Sequence, residues 1–182
     1  YRALLVTTED PVALGNLGVL LHATGRRTEG ATLLLRALQL EPARAAHWSN
    51  LGVSLGATEA ALEAFARAEA LEPEVAAHAY NHGRALSGLG RSTEAEARFR
   101  RALALGPAHP TALAETKYNL AMALLRQGRL EAGFEAMEGR RGLPDFQPEP
   151  FPDLPWWEGE ALEGPLLLFS DQGFGDTLMM AR

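Results

Sequence analysis

Two sets of residues have the types and spacing to do chemistry. The first is Asp171-Gln172-Gly173-Phe174-Gly175-Asp176, a glycine turn after the apolar run Leu166–Ser170 and before a helix start at Thr177. A loop of this kind presents unpaired N–H groups and the positive end of a helix dipole to an anion, so Gly173 and Gly175 are candidate phosphate or sugar contacts. No Gly-Lys-Ser/Thr follows and the third glycine of a dinucleotide fingerprint is missing, so neither standard nucleotide loop is present. At the helix start, Asp176 has the position of an N-cap. The second set is Asn16, Asn50, Asn81 and Asn119, which open the similar elements Asn16-Leu17-Gly18, Asn50-Leu51-Gly52, Asn81-His82-Gly83 and Asn119-Leu120-Ala121. A row of carboxamides can donate to a peptide C=O and accept from its N–H, holding an extended chain with little regard for its side chains. The plainer reading is that the asparagine simply belongs to the repeated element.

The elements that position the second set form a repeat. Trp48 to Pro73 overlays three other stretches, with a turn glycine, a small residue, a large apolar residue, a second small residue and a closing proline recurring in order. The asparagines are separated by 34, 31 and 38 residues. The short interval predicts a first helix trimmed by most of a turn between Gly52 and Gly56. The long one predicts an extended first helix from Pro110. Apolar spacing bounded by Gly or Pro predicts helix pairs over 12–24 and 28–40, 43–55 and 58–71, 75–89 and 92–105, and 111–127 and 130–141. Thr28, Thr58 and Ser92 or Thr93 lie near second-helix starts, where a hydroxyl can cap. Gly18, Gly52, Gly83 and Ala121 on first helices face Gly30, Ala61, Ala95 and Gly133 on second helices, and small size at both allows close approach.

This pattern resembles the tetratricopeptide repeat (TPR). The resemblance implies an all-α superhelix of about four helix pairs, with repeats near 11–42, 45–73, 76–107 and 110–141 and residues 1–10 left from a preceding helix. It also implies that first helices line the inner curve, so that Tyr80, Arg84, Tyr118, Met122 and Arg126, with Val19, His22 and Val53, join the asparagines on a peptide-binding face. Concave solenoid faces are common binding faces. The basic clamp of chaperone-tail-binding members has no counterpart, since Gly15 and Val19 stand where Lys and Asn would be wanted.

From 142 to 165 the pattern breaks into a linker with Pro144, Pro148, Pro150, Pro152, Pro155 and Pro165, which no ordinary helix tolerates. Phe146, Phe151, Trp156 and Trp157 give it apolar anchors. Residues 166–182 read as strand, glycine turn and helix, the opening of an α/β domain, and an unpaired buried-type strand points to more of that domain. The ordered set Gly128 to Phe134, Glu138, Arg140, Pro155 to Gly164 and Asp171 to Thr177 resembles the junction in bacterial TPR proteins with a GT-B glycosyltransferase-like domain. Their layout is similar to that of O-GlcNAc transferases, which use an asparagine ladder, and their opening motif to that of heptosyltransferases. The resemblance implies a nucleotide-sugar donor in the full-length protein and a role for Asp176 as base toward an acceptor hydroxyl, with a protein acceptor recruited by the repeats. These residues by themselves are expected to be inactive and to need no cofactor. The alternative is a TPR scaffold with no transferase activity.

Composition bounds the rest. The chain has 182 residues, no cysteine, 7% aromatics and a net charge of −6, which excludes disulfides and thiolate metal sites and argues against nucleic acid as the main partner. Arg98, Arg100 and Arg101 form only a small basic cluster. No apolar run is long enough to span a bilayer, and a cytoplasmic protein is expected, with dimerisation through exposed repeat ends an open possibility. His78 and His82 are four apart on a helix, but no third ligand accompanies them and no metal site is expected. Glu59 with Glu63, and Glu131 with Glu135, read as solvated faces, and Trp48 as core.

Overall fold

The computed structural model describes residues 10–144. Its helices are α1 (Pro11–Ala23), α2 (Arg27–Leu40), α3 (Ala45–Leu55), α4 (Glu59–Leu71), α5 (Ala76–Gly88), α6 (Ser92–Leu105), α7 (Pro110–Arg126) and α8 (Leu130–Met137), followed by a 3₁₀ segment, Glu138–Gly142. Each first helix packs on the second of its pair, and each second helix on the first of the next. The first helices also touch one another, α1 with α3, α3 with α5 and α5 with α7, which makes their side the inner side of the stack. The expected all-helical solenoid is therefore what forms. Residues 1–9 of the expected 1–10 remnant, the remainder of the linker and the strand at 166–170 lie outside the described residues.

The two irregular intervals have their anticipated effects. Helix α3 has 11 residues against 13 in α1 and α5, and α7 has 17 with Pro110 in its first turn. Three turns close alike: Gly25, Gly90 and Gly128 adopt φ of 84°, 77° and 76°, and the next residue's N–H reaches back to Leu21, Leu86 and Leu124. The trimmed α3 stops instead on Gly56, whose N–H reaches the carbonyls of Gly52 and Val53.

Capping departs from expectation. Thr58 does cap α4, accepting from the Ala61 N–H at 3.2 Å, but Thr28, Ser92 and Thr93 fall inside the first turn because those helices begin earlier, on Arg26 and Arg91. There the guanidinium grips the glutamate three residues on, Arg26 to Glu29 and Arg91 to Glu94, placing carboxylates at the positive helix end. Asp10 caps α1 through the Val12 N–H at 2.9 Å. The last helix is also shorter than the predicted 130–141. Gly139 and Gly142 let the tightened chain lie against Lys117 and Ala114 of α7.

The core runs as a strip through the pairs, with one cluster around Phe65, Phe99, Leu86 and Leu124 and another around Leu34, Leu38 and Leu51. Close approach at the small positions is real: a Cβ on Gly18 would meet Leu34 at 2.8 Å, on Gly52 the Phe65 ring at 2.7 Å, and on Gly133 Leu125 at 2.5 Å. Trp48 is half-buried rather than deep core. It packs on the second cluster and its indole N–H donates to the Pro42 carbonyl at 2.8 Å, tying one repeat joint. Glu96, almost fully buried, is held by Arg100, by Arg129 at 2.6 Å and by Gln127 at 2.8 Å, which satisfies a charge that would otherwise be costly.

Candidate functional site

Asn16 lies on α1, Asn50 on α3, Asn81 on α5 and Asn119 on α7, one on each first helix. Their surroundings differ. Asn16 is exposed, Asn50 and Asn81 are half-buried, and none of these three carboxamides hydrogen-bonds to another described residue. Asn119 donates to the Glu115 carbonyl at 2.8 Å and approaches the Tyr80 hydroxyl at 3.4 Å, so its N–H₂ is engaged internally while the carbonyl oxygen remains.

Tyr80 joins α5 to α7 by donating to Glu115 at 3.2 Å. Burial first, and then the nearby Glu115 carboxylate, push the phenol up to about 12 against the opposing charge of Arg84, so it stays protonated and keeps donating. The Arg84 guanidinium lies 5.8 Å from the Tyr80 ring centre and has no carboxylate partner among the described residues. Arg126 instead donates to the Ser87 hydroxyl at 2.8 Å and carbonyl at 3.3 Å, bridging α7 to α5. Tyr118 and Met122 are half-buried on α7; Val19 and Val53 are exposed on α1 and α3, and His22 is half-buried on α1. Glu115 and Ser87 were not anticipated as part of this face. Glu115 was within reach of sequence reasoning, because it precedes Asn119 by four residues and so shares its helix face.

Between the end of α3 and α5 the face dips into a cavity of about 200 Å³ lined by Gly52, Val53, Phe65, Asn81, Arg84 and Ala85, with Gly56 and Ala57 at the turn. A larger depression of about 590 Å³ lies over α4 and α6, with Leu62, His82 and Leu86 among its lining residues and Glu59, Glu63 and Arg91 among its charged ones.

The histidines are taken up structurally. His82 Nδ1 lies 2.6 Å from Glu69, whose other oxygen accepts from Arg98 at 2.9 Å, and the His82 ring stacks on Phe65. His78 Nε2 is 3.3 Å from Glu72. Among the described residues no group of three potential metal ligands occurs. The basic cluster is likewise absorbed: Arg98 pairs with Glu69, Arg100 with Glu96, and Arg101 donates to the Pro73 carbonyl. Gly173, Gly175 and Asp176 lie outside the described residues.

Two of these buried groups couple folding to pH. His47, wedged against Gly15, has its charged form disfavoured by burial and by Arg44, more than Glu41 at 3.7 Å offsets. Burial pushes Glu69 up, but the His82 hydrogen bond and the Arg98 charge outweigh it and hold the carboxyl below its ordinary value. Both are depressed, so the unfolded chain binds more protons as pH falls below the ordinary 6.5 for His47 and then 4.5 for Glu69. Each contribution is complete above those values and is lost as pH falls through the folded one. The urea midpoint is expected to decline as pH falls below about 6.5, and again below about 4.5, with His47→Gln removing the upper step. A midpoint that rose on acidification from pH 7 to 5 would contradict a neutral buried His47.

A tetratricopeptide repeat model matches residues 48–110 and 80–141, and a second matches 11–36. The chain belongs to the tetratricopeptide repeat family. At this level it is a protein-interaction module. Protein FlbA of Caulobacter vibrioides is 30% identical over 188 residues, covering all of this chain but 31% of its own length, so the chain spans about a third of that relative. Among solved structures, a crystal structure of MamA superposes with a TM-score of 0.66 at 18% identity, covering 76% of this chain and 80% of that one. MamA 41-end from Desulfovibrio magneticus RS-1 gives 0.64 at 20%, covering 75% and 79%. These likenesses concern the fold alone. Among the described residues of this TPR stack, no helix is long and apolar enough to cross a membrane.

Proposed function

We propose that the TPR stack binds an extended segment of a partner protein along its inner face, through the carboxamides of Asn16, Asn50 and Asn81 and the remaining carbonyl of Asn119. The observation that carries this reading is the row of unsatisfied groups: Asn16, Asn50 and Asn81 recur at one repeat position, and none of their carboxamides has a hydrogen-bond partner among the described residues. A backbone supplies one donor and one acceptor per residue, the complement of a carboxamide row. Tyr80, Arg84, Tyr118, Met122 and Arg126 flank the row. The finer reading is that the segment belongs to an acceptor protein presented to a nucleotide-sugar-dependent transferase domain beginning near 166–182, with Asp176 as base. It is supported by the ordered junction residues from Pro155 to Thr177 and by nothing in the described geometry.

Changing Asn50, Asn81 and Asn119 together to Ala is expected to abolish capture of a discrete protein from lysate of the source cells while shifting the melting temperature by only a few degrees. Binding that survives the triple change would remove the carboxamide row as the recognition element. For the transferase, labelled nucleotide sugars are offered to the longer protein and to its Asp176→Ala variant. Labelling of the captured protein that disappears in the variant supports the acceptor reading, and no labelling with retained capture leaves a scaffold.

A further inference from the structure

We propose that the notch between α3 and α5 is a side-chain subsite of the inner face, selecting a doublet in the bound segment: one aliphatic residue beside an Asp or Glu. This rests on the inner-face reading above and adds what the bound chain must carry.

The notch follows from the trimmed repeat. Helix α3 ends on Gly56, and its last turn leaves a cavity of about 200 Å³ with Val53, Phe65 and Ala85 as apolar walls and Gly52 leaving Phe65 uncovered by any side chain of its own. One joint further on, the corresponding space is crossed by Arg126 reaching Ser87. Gly88 stands seven residues after Asn81, as Arg126 stands seven after Asn119, and it brings no side chain across. A Cβ there would lie 2.7 Å from that of Ala57. The cavity therefore stays open at this joint, whereas an arginine side chain spans the next.

Charge sets the second half of the doublet. Arg84 is exposed at the notch, rests on the Tyr80 ring and has no carboxylate among the described residues, whereas Arg91, Arg98 and Arg129 are paired with glutamates. An unpaired guanidinium beside apolar walls complements a carboxylate, which it can take bidentately. Asn81 lines the same notch and is placed to hold the backbone between the two side chains. The volume admits an aliphatic side chain against the walls formed by Val53, Phe65 and Ala85.

The test is selection of a phage-displayed library of random dodecapeptides on the full 182-residue chain, followed by fluorescence anisotropy with an enriched peptide. Enriched sequences are expected to share an aliphatic–acidic doublet. Arg84→Glu, which loses a charge-assisted contact, and Val53→Trp, which fills the notch, should each weaken the peptide about tenfold or more. Both residues are exposed, and circular dichroism verifies the fold. Replacing the peptide's acid by Lys should restore binding to Arg84→Glu. Peptides that lack the doublet, or ignore Arg84→Glu, yet are lost on changing Asn50, Asn81 and Asn119 to Ala, would overturn the subsite and leave the carboxamide reading standing. Peptides indifferent to both sets of changes, or no enrichment at all, would overturn both.

Discussion

Phe99→Ala is expected to lower unfolding free energy by about 3 to 5 kcal/mol, a large part of the ~5 to 15 kcal/mol available to a domain. The ring is fully buried at the centre of the larger cluster, between Tyr80, whose ring centre lies 6.1 Å away, and the backbone at Gly83. Truncation removes the transfer term and leaves a void whose walls are helices already in contact, so collapse recovers little. In a stack, each pair is stabilised by its neighbours alone. Weakening the third pair therefore also weakens its contacts with the second and fourth, and urea unfolding should broaden as well as shift. Leu35→Ala, at a half-exposed position on α2, serves as the control and is expected to cost under about 1 kcal/mol. Equal midpoints for the two variants would mean that Phe99 does not hold the stack.

Gly83→Leu approaches the same contact from the other side. A Cβ on Gly83 would lie 2.7 and 2.9 Å from two carbons of the Phe99 ring and 3.2 Å from the Arg98 Cβ. A leucine cannot enter without separating α5 from α6, at or above the ~1 to 3 kcal/mol usual for overpacking. Helix propensity works the other way: leaving glycine gains up to about 1 kcal/mol in a helix interior. Gly83→Ala weighs the two effects directly, and a loss of stability there shows that the clash wins. Combining Gly83→Leu with Phe99→Ala should cost less than the sum, because the removed ring makes room for the added side chain. Strict additivity, or a Gly83→Leu melt unchanged within a degree, would show that the two residues do not meet.

Much of this architecture was legible because it is written in local patterns. Turn glycines at 25, 90 and 128, the trimmed span before Gly56 and the extension at Pro110 placed the helices to within a few residues, since the helical period and backbone-breaking residues act over a single turn. Capping was read less well. A hydroxyl near a helix start invites assignment as a cap, but the Gly-Arg turn closes through its backbone and starts the helix before Thr28 or Ser92 can serve. The buried Glu96, taken up by Arg129 and Gln127 from the next repeat, left no local trace, because apolar periodicity does not register a charge satisfied 31 to 33 residues away.

The candidate site divides along the same line. Sequence alone determined that four asparagines recur at one repeat position, because a fixed place in a repeated unit becomes a fixed row in a stack, and the family resemblance implied an inner-face placement for that row. Only the tertiary structure decided which of them is available. Glu115 on its own helix and Tyr80 on the preceding repeat engage Asn119, Arg126 is spent on Ser87, and Arg84 is left beside an open notch; the Tyr80 and Ser87 contacts join different repeats. Such contacts depend on how closely successive first helices approach, and that distance is set by packing across the joint rather than by any one repeat's residues.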